Sequence, residues 1–224
     1  EKICIDDDAF FLRTDEEIEA FCAQYREHVR IPMWVTGATP STLNERKLAA
    51  LANAGMTTFR MGIQSGSERT KRLYRRTHSN RAILNAVRLI HRFRETVRSP
   101  QYDIILDNPW ETARDLRATL LFLSRLPVPY ELFLFPLVFY PGTDLFEKAR
   151  REGKMPAEES EIERIRHHRL KPTFLNGLFV LMNDYARRGW RISPAVMFLL
   201  TRPLLMRLGI SPLIHRAMRK RLED

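Results

Sequence analysis

The amino-acid sequence predicts an α/β fold with a parallel sheet, followed by a helical C-terminal region. Short β-type runs alternate with amphipathic helical stretches from residue 2 to about residue 137. Strands and helices that alternate in this way form parallel sheets, because each helix carries the chain back to the starting edge of the next strand. Beyond residue 153 the strand pattern stops and only helical patterns continue. A chain of 224 residues suits one domain with a small addition.

Five runs rich in β-branched, aromatic and aliphatic residues carry the strand signal. They are Lys2–Ile5, Met33–Thr36, Thr57–Ile63, Tyr102–Leu106 and Glu131–Leu137. Five consecutive βα units fit a barrel or a partial barrel, and a doubly wound open sheet is the alternative. Periodicity alone does not separate these folds.

Four helices are predicted between the strands, because apolar positions recur there at three and four residues. Their ranges are Asp15–Val29, Asn44–Ala54, Asn80–Arg94 and Thr112–Leu126. The residues at the helix ends agree with the periodicity. Thr14 and Glu17 have the spacing of a capping box, and Gly55 follows the second helix.

The last part of the chain, residues 154–224, is predicted to be a basic helical region attached to a barrel domain of residues 1–153. Its helical stripes are interrupted at Gly189, Pro194, Pro203 and Pro212. Docking on the barrel is preferred over contact with an anionic membrane surface, since the stripes are no wider than ordinary core-facing ones. The expected docking residues are Leu175, Phe179, Met182, Val196, Leu199 and Leu200.

Charge and cysteine content narrow the class of protein. The net charge of +10 favours anionic partners, but no zinc-finger spacing or RNA-binding signature accompanies it, so specific nucleic-acid binding is not expected. The two cysteines, Cys4 and Cys22, are too few for a disulfide framework and favour the cytoplasm. Cys4 is expected in a strand buried on both faces. No apolar run approaches the ~20 residues of a membrane span.

Polar residues concentrate directly after the strands, where parallel α/β folds bind ligands. The first strand is followed by Asp6-Asp7-Asp8, and the third runs into Gly62-Ile63-Gln64-Ser65-Gly66-Ser67. The fourth is followed by Asp107-Asn108-Pro109-Trp110-Glu111-Thr112, and the fifth leads to Tyr140-Pro141-Gly142-Thr143. Small residues allow a ligand to approach the backbone closely, and carboxylates and amides supply polar contacts.

These four motifs, in this order, resemble those of radical S-adenosylmethionine (SAM) enzymes, especially the branch with an N-terminal cobalamin-binding domain. The resemblance covers about residues 1–153. It implies a partial TIM-like (β/α)6 barrel whose first βα unit is missing, with SAM lying across the strand ends.

The resemblance also implies roles for individual residues. Asp7, Asp8 and Ala9 match the segment near the SAM methionyl group, and Gln64 and Ser65 match polar positions near the methionine or ribose. Asp107, Asn108 and Pro109 match the segment beside the adenine, although relatives usually carry Gly-x-Pro there. Tyr140 closes the segment 137–140, which also approaches the adenine.

In such enzymes a [4Fe-4S] cluster reduces SAM, and the 5′-deoxyadenosyl radical then abstracts a substrate hydrogen; cobalamin can deliver a methyl group. The Cys-x3-Cys-x2-Cys loop that holds the cluster is absent from these 224 residues. The sequence, which opens at Glu1, is therefore interpreted as a C-terminal fragment whose cluster ligands lie outside it and which is inactive alone. An electron donor and a small-molecule or lipid-like substrate are the expected partners, with peripheral membrane contact as a further interpretation.

Two other functions are compatible with the residues. The first is a cluster-free barrel that acts as a binding module without catalysis. The second is a TIM-like metal-dependent hydrolase using Asp6, Asp7, Asp8 and Asp107, which the absence of a histidine at any strand end disfavours. No metal site is predicted within the chain itself.

Overall fold

The computed structural model describes residues 1–8 and 10–202. Within these ranges the strands are β1 (Ile3–Ile5), β2 (Met33–Ala38), β3 (Met56–Gln64), β4 (Gln101–Leu106) and β5 (Glu131–Pro136). A 3-10 turn at Phe10–Leu12 precedes the first helix. The helices are α1 (Asp15–His28), α2 (Glu45–Asn53), α3 (Glu68–Leu73), α4 (Asn80–His91), α5 (Ala113–Leu123), α6 (Asp144–Arg151), α7 (Glu159–Arg166), α8 (Phe174–Arg187) and α9 (Pro194–Leu200).

The five strands form one parallel sheet in the order β1-β2-β3-β4-β5, which confirms the predicted α/β class and strand adjacency. Each strand pairs with the next along the chain, as in a barrel; a doubly wound sheet would reverse its order part-way. β1 and β5 do not pair with each other. The sheet is therefore a partial barrel.

The two faces of the sheet have different surroundings. Phe59, Ile63 and Ile104 lie on the outer face and are buried in a core cluster that includes Leu48 of α2 and Leu120 of α5. The residues that alternate with these along β3 and β4 lie on the inner face and are only partly buried. This alternation leaves the inner face open for polar side chains and a cavity.

Helix caps follow the sequence. The Thr14 hydroxyl accepts a hydrogen bond from Glu17 N at 3.2 Å, and Glu17 Oε2 accepts one from Thr14 N at 2.7 Å, so the predicted capping box is confirmed. A second capping box joins Thr112 and Asp115 at the start of α5. These caps fix the residues at which α1 and α5 begin, directly after two of the loops at the strand ends.

The helical region packs on the barrel through α8 and α9, which lie against α5, with α8 also contacting β5. Leu175, Phe179 and Met182 are buried there as predicted. The prediction was wrong for Val196 and Leu199, which are 48% and 56% exposed, while Met197 is fully buried. α9 begins at Pro194 behind a Ser193 cap, and this helical phase turns Met197 inward. Residues 203–224, with the rest of that prediction, lie outside the described residues.

The two cysteines differ in their surroundings. Cys22 is buried in α1, and desolvation raises the pKa of its thiol to about 11. Cys4 is exposed, so the expectation of a strand buried on both faces was wrong for it. β1 is an edge strand of an open sheet, and nothing within the described ranges covers its inner face completely.

No helix among residues 1–8 and 10–202 is long and apolar enough to cross a membrane.

Candidate functional site

The candidate site lies at the carboxyl ends of the parallel strands. Gln64, the last residue of β3, and Asp107, the first after β4, both have left-handed backbone conformations, with φ of 67° and 54°. Residues other than glycine rarely adopt this backbone conformation because it costs free energy. Such residues are found most often at functional sites. The predicted polar segments therefore leave their strands through sharp changes of direction at one edge of the sheet.

The ends of β1 and β2 are in direct backbone contact. Gly37 has φ of +78°, and a Cβ atom at this position would lie 2.1 Å from the carbonyl oxygen of Asp7. Only glycine, with its missing Cβ and freedom at positive φ, allows this approach. The loop that begins at Asp6 is thereby held against the end of β2.

A polar cavity of about 490 Å³ opens at this edge and extends down the inner face of the sheet. Two guanidinium groups and three carboxylates line it, together with the backbone of β2 and the Gln64 amide; the charged residues are Asp6, Asp8, Arg60, Arg76 and Asp103. The Thr36 hydroxyl donates to Asp6 Oδ1 at 2.8 Å. The cavity thus offers both signs of charge to a ligand.

A second cavity of about 380 Å³ adjoins the first beside β4 and β5. Its lining includes apolar surface from Leu73, Ile105, Leu137, Val138 and Leu145 and the rings of Tyr74 and Tyr140. Gln64 and Arg76 line both cavities, so the two spaces meet at these side chains. One elongated ligand with a charged end and a flat apolar end matches this arrangement.

A buried polar network lies behind the loop that follows Gln64. The hydroxyls of Ser65 and Thr119 are hydrogen-bonded at 3.0 Å, and Thr119 Oγ1 also accepts from Gly66 N at 3.0 Å. The Thr70 hydroxyl donates to Glu111 Oε1 at 3.0 Å. Asp115 accepts from the hydroxyls of Ser67 and Thr112 and pairs with the Arg69 guanidinium, which is the main cause that holds its carboxyl pKa far below the usual range. These contacts fasten the loop to α5.

Glu111 is the one carboxylate of this network with an unsatisfied atom: within the described chain, its buried Oε2 has no hydrogen-bond partner. Desolvation raises the pKa of Glu111 to about 7, with Thr70 opposing the shift and Asp115 adding to it. Because the pKa in the folded chain lies above the ordinary value of 4.5, the protonated carboxyl supports the fold at low pH. This contribution to stability is complete below pH 4.5 and is lost as pH rises through 7.

We therefore expect Glu111→Gln to increase the free energy of unfolding at pH 8 by about 2–3 kcal/mol and to change it little at pH 4. Gln keeps the acceptor for Thr70 and removes the buried charge. Urea unfolding followed by circular dichroism at both pH values measures the effect. Glu95→Gln, at a side chain that is 90% exposed, is the control and should leave stability unchanged. A Glu111→Gln variant that is less stable than the parent at pH 8 would contradict the assignment.

The predicted site residues separate into two groups. Asp8, Gln64 and Tyr140 line the cavities, and the Tyr140 side chain is largely exposed. Asp7 lies at the same edge, where its Oδ2 accepts from Arg13 Nη1 at 2.9 Å. Ser65 is buried in the network behind the loop. Ala9 lies outside the described residues.

The predicted segment after β4 is occupied by contacts within the chain. Asp107 accepts from Arg164 Nη1 at 2.8 Å, Lys171 N at 2.7 Å and Asn176 Nδ2 at 2.7 Å. Asn108 is buried; its amide donates to Tyr74 Oη at 2.8 Å and accepts from Trp110 N at 2.9 Å. Pro109 is exposed and does not line either cavity. These three residues stay sequence-based predictions for SAM binding.

Sequence reasoning missed Arg60, Asp103 and Arg76. Arg60 and Asp103 are the only charged residues within β3 and β4, and that contrast was the available signal for an inward-facing pair. Arg76 carried no comparable signal, since it belongs to a run of basic residues between α3 and α4.

The residues present fit SAM but do not fit an iron–sulfur cluster. Three thiolates are needed to hold a [4Fe-4S] cluster that leaves one iron for SAM, whereas Cys4 is on a strand and Cys22 is buried in a helix. Within the described residues, no three His, Cys, Asp or Glu side chains form a group that could hold a metal ion. The acids of the hydrolase hypothesis, Asp6, Asp7, Asp8 and Asp107, therefore form no such group. The mixed charges and the adjoining apolar space suit a zwitterion joined to an adenine.

Comparisons with known proteins show the family and the fold of the chain. The family model of the radical SAM superfamily matches residues 6–123. A curated relative, an uncharacterized methyltransferase of Pyrococcus horikoshii, is 27% identical over 143 residues, which are 64% of this chain and 30% of that protein. The chain thus spans about a third of the length of this relative.

Solved structures share the fold. Coproporphyrinogen III oxidase from Escherichia coli, a radical SAM enzyme, has a TM-score of 0.52 at 17% identity, covering 69% of this chain and 36% of that one. An N-terminally truncated Elp3 of the archaeon Methanocaldococcus infernus has a TM-score of 0.56 at 17% identity, covering 75% and 44%. The family match extends over more than half of the residues, and the chain belongs to the radical SAM superfamily.

Proposed function

We propose that this chain is the catalytic-barrel part of a radical SAM enzyme and that SAM spans the polar and second cavities, with Gln64 at their junction. The observation that carries the proposal is that Gln64 lines both cavities at the carboxyl end of β3. With a cluster bound, SAM supplies 5′-deoxyadenosyl-radical chemistry. The chain's own residues bind SAM, orient it and exclude water around it.

The charges of the polar cavity support placing the methionyl end of SAM there. This end carries an ammonium, a carboxylate and a sulfonium. Asp6 and Asp8 face the cavity at the end of β1 and can accept from the ammonium, and Arg76 can donate to the carboxylate.

The second cavity supports placing the adenine beside β4 and β5. Ile105, Leu137 and Val138 offer apolar surface to its ring, and Tyr140 can cover it from the exposed side. Burying a flat heteroaromatic ring in such a space is favourable because apolar surface leaves water on both partners.

We propose that the cluster is held by cysteines other than Cys4 and Cys22, on a segment outside these 224 residues. The burial of Cys22 supports this proposal, because a metal ligand must be a thiolate and desolvation, which raises the pKa of this thiol, disfavours the charged form. Under this proposal the 224 residues alone are inactive, and an external electron donor reduces the cluster in the complete enzyme.

The finer features of the activity are also proposals. The relative named a methyltransferase supports methyl transfer as the reaction class, and the sequence motifs support cobalamin as the methyl carrier, on a domain outside this chain. A small-molecule or lipid-like substrate, the cytoplasm as location and no specific nucleic-acid partner complete the proposal. The two separated cysteines favour one second candidate, a cluster-free binding module.

SAM binding by the chain is the direct test. Equilibrium dialysis with radiolabelled SAM should show saturable binding, and Gln64→Leu should weaken it about tenfold, which corresponds to the loss of one or two hydrogen bonds. Gln24→Leu, at an exposed position of α1, is the matched control and should bind as the parent does. No saturable binding by the folded parent, or unchanged binding by Gln64→Leu, would overturn the proposal.

A further inference from the structure

Arg60 of β3 is held on the inner face of the barrel by three side chains. Its Nε donates to Asp103 Oδ1 at 2.7 Å, and both residues are less than a quarter exposed. Its guanidinium carbon lies 4.5 Å from the ring centroid of Phe133 and 5.4 Å from that of Phe135. An ion pair on one edge and aromatic stacking together fix the plane of the guanidinium.

The outer edge of this guanidinium is unused. Among the described residues, no atom accepts a hydrogen bond from Nη1 or Nη2 of Arg60, although the side chain lines the polar cavity. Two parallel N–H donors in a fixed plane match the two oxygens of a carboxylate. Asp103 and the two aromatic rings fix the guanidinium in place, so an incoming carboxylate meets a preorganised fork of donors.

Arg60 lies deeper in the barrel than Gln64, the residue at the junction of the two cavities. It precedes Gln64 by four residues on β3, which at about 3.3 Å per residue places it roughly 13 Å below the end of the strand. Asp6 is near the level of Arg60, because Ile5 pairs with Val35 and Val35 with Phe59. The lower part of the polar cavity is therefore separate from the junction at Gln64 and Arg76, where the two cavities meet.

We propose that Arg60 is the substrate anchor of this barrel and that the substrate carries a carboxylate, which the two Nη groups bind in bidentate fashion. This inference rests on the proposed function, because a substrate inside the barrel and SAM at its edge would share one cavity. Asp103, Phe133 and Phe135 are positioning residues that hold the guanidinium plane.

The test uses benzoate as a planar carboxylate probe and benzamide as its uncharged counterpart, titrated into the 224-residue chain by ligand-observed NMR. The parent should bind benzoate at least tenfold more tightly than benzamide.

The double variant Arg60→Gln/Asp103→Asn removes both charges of the pair and avoids a buried unpaired carboxylate. It should lose the preference for benzoate. Arg60→Lys keeps the charge without the fork and should bind benzoate more weakly than the parent. Arg114→Gln, at an exposed arginine of α5, should bind as the parent does.

Competition and SAM binding distinguish this inference from the proposed function. Saturating S-adenosylhomocysteine should leave benzoate bound, and the double variant should keep its SAM affinity within twofold. Displacement of benzoate by S-adenosylhomocysteine would overturn the inference, since Arg60 would then belong to the SAM site. A preference for benzoate that survives in the double variant would overturn it as well. Loss of SAM binding by Gln64→Leu, with benzoate binding unchanged, supports both proposals.

Discussion

Replacing Gly37 by alanine should destabilise the chain by about 3–5 kcal/mol, because the new Cβ would collide with the backbone of the β1–α1 loop. This Cβ would lie 2.1 Å from the carbonyl oxygen of Asp7 and 3.0 Å from the Cα atom of Asp8. Neither is the end of a flexible side chain, so the loop itself must shift. The positive φ of Gly37 adds a smaller cost.

Gly153→Ala is the matched control for Gly37→Ala. Gly153 also has positive φ, at +61°, but an added Cβ would meet nothing within 4 Å. This variant should therefore lose only the conformational part, about 1 kcal/mol. Urea unfolding by circular dichroism gives both values. Equal losses in the two variants would show that the β1–α1 loop moves aside at no cost and that the contact with Gly37 does not hold it.

Local patterns in the sequence were enough to predict the order of strands, most helix positions and the strand-end loops. The Thr14 capping box and the polar residues after β1, β3 and β4 depend on neighbours close in sequence, and they occur as predicted. The bounds of the short helix α3 were not predicted, since a helix of one or two turns carries no resolvable periodicity.

Contacts between distant residues were not predictable in the same way. Arg60 and Asp103 are 43 residues apart and meet only because β3 pairs with β4 in one particular register. The exposure of Cys4 depends on β1 being an edge strand, which a strand pattern does not reveal. Val196 and Leu199 are exposed because only one face of α9 packs on α5, and an apolar run of seven residues does not reveal which face that is.

The largest electrostatic effect is expected at Asp107, where the resemblance and the structure suggest different roles. The carboxylate is 4% exposed and accepts hydrogen bonds from Arg164, from the Lys171 backbone and from the Asn176 amide. Asp107→Ala removes one partner of a buried ion pair and the acceptor of the Lys171 amide, while Arg164 and Asn176 keep their backbone acceptors. We expect a loss of about 3–5 kcal/mol in the free energy of unfolding. Asp107→Asn keeps the shape and the left-handed backbone and should lose about half as much.

A double-mutant cycle with Arg164→Met isolates the ion pair from the other contacts of Asp107. The coupling energy should be about 1–3 kcal/mol, because Arg164 and Asp107 are in direct contact at 2.8 Å. In Asp107→Asn, the Lys171 amide should exchange with solvent faster than in the parent, since it donates to the replaced carboxylate. Coupling near zero would show that the pair adds nothing to the docking of the helical region.

SAM binding by Asp107→Asn decides between an adenine contact and an anchor for the helical region. The three donors to the carboxylate described above belong to residues 164–176, and Asp107 lines neither cavity. We therefore expect equilibrium dialysis to give a SAM dissociation constant within twofold of the parent value, measured where the variant is fully folded. Binding that is tenfold weaker, without a loss of stability, would assign Asp107 to the cofactor. The expected pattern is lower stability with unchanged SAM affinity. It means that the helical region docks on the strand end that the resemblance assigns to the adenine. The adenine then lies beside Ile105 and Leu137.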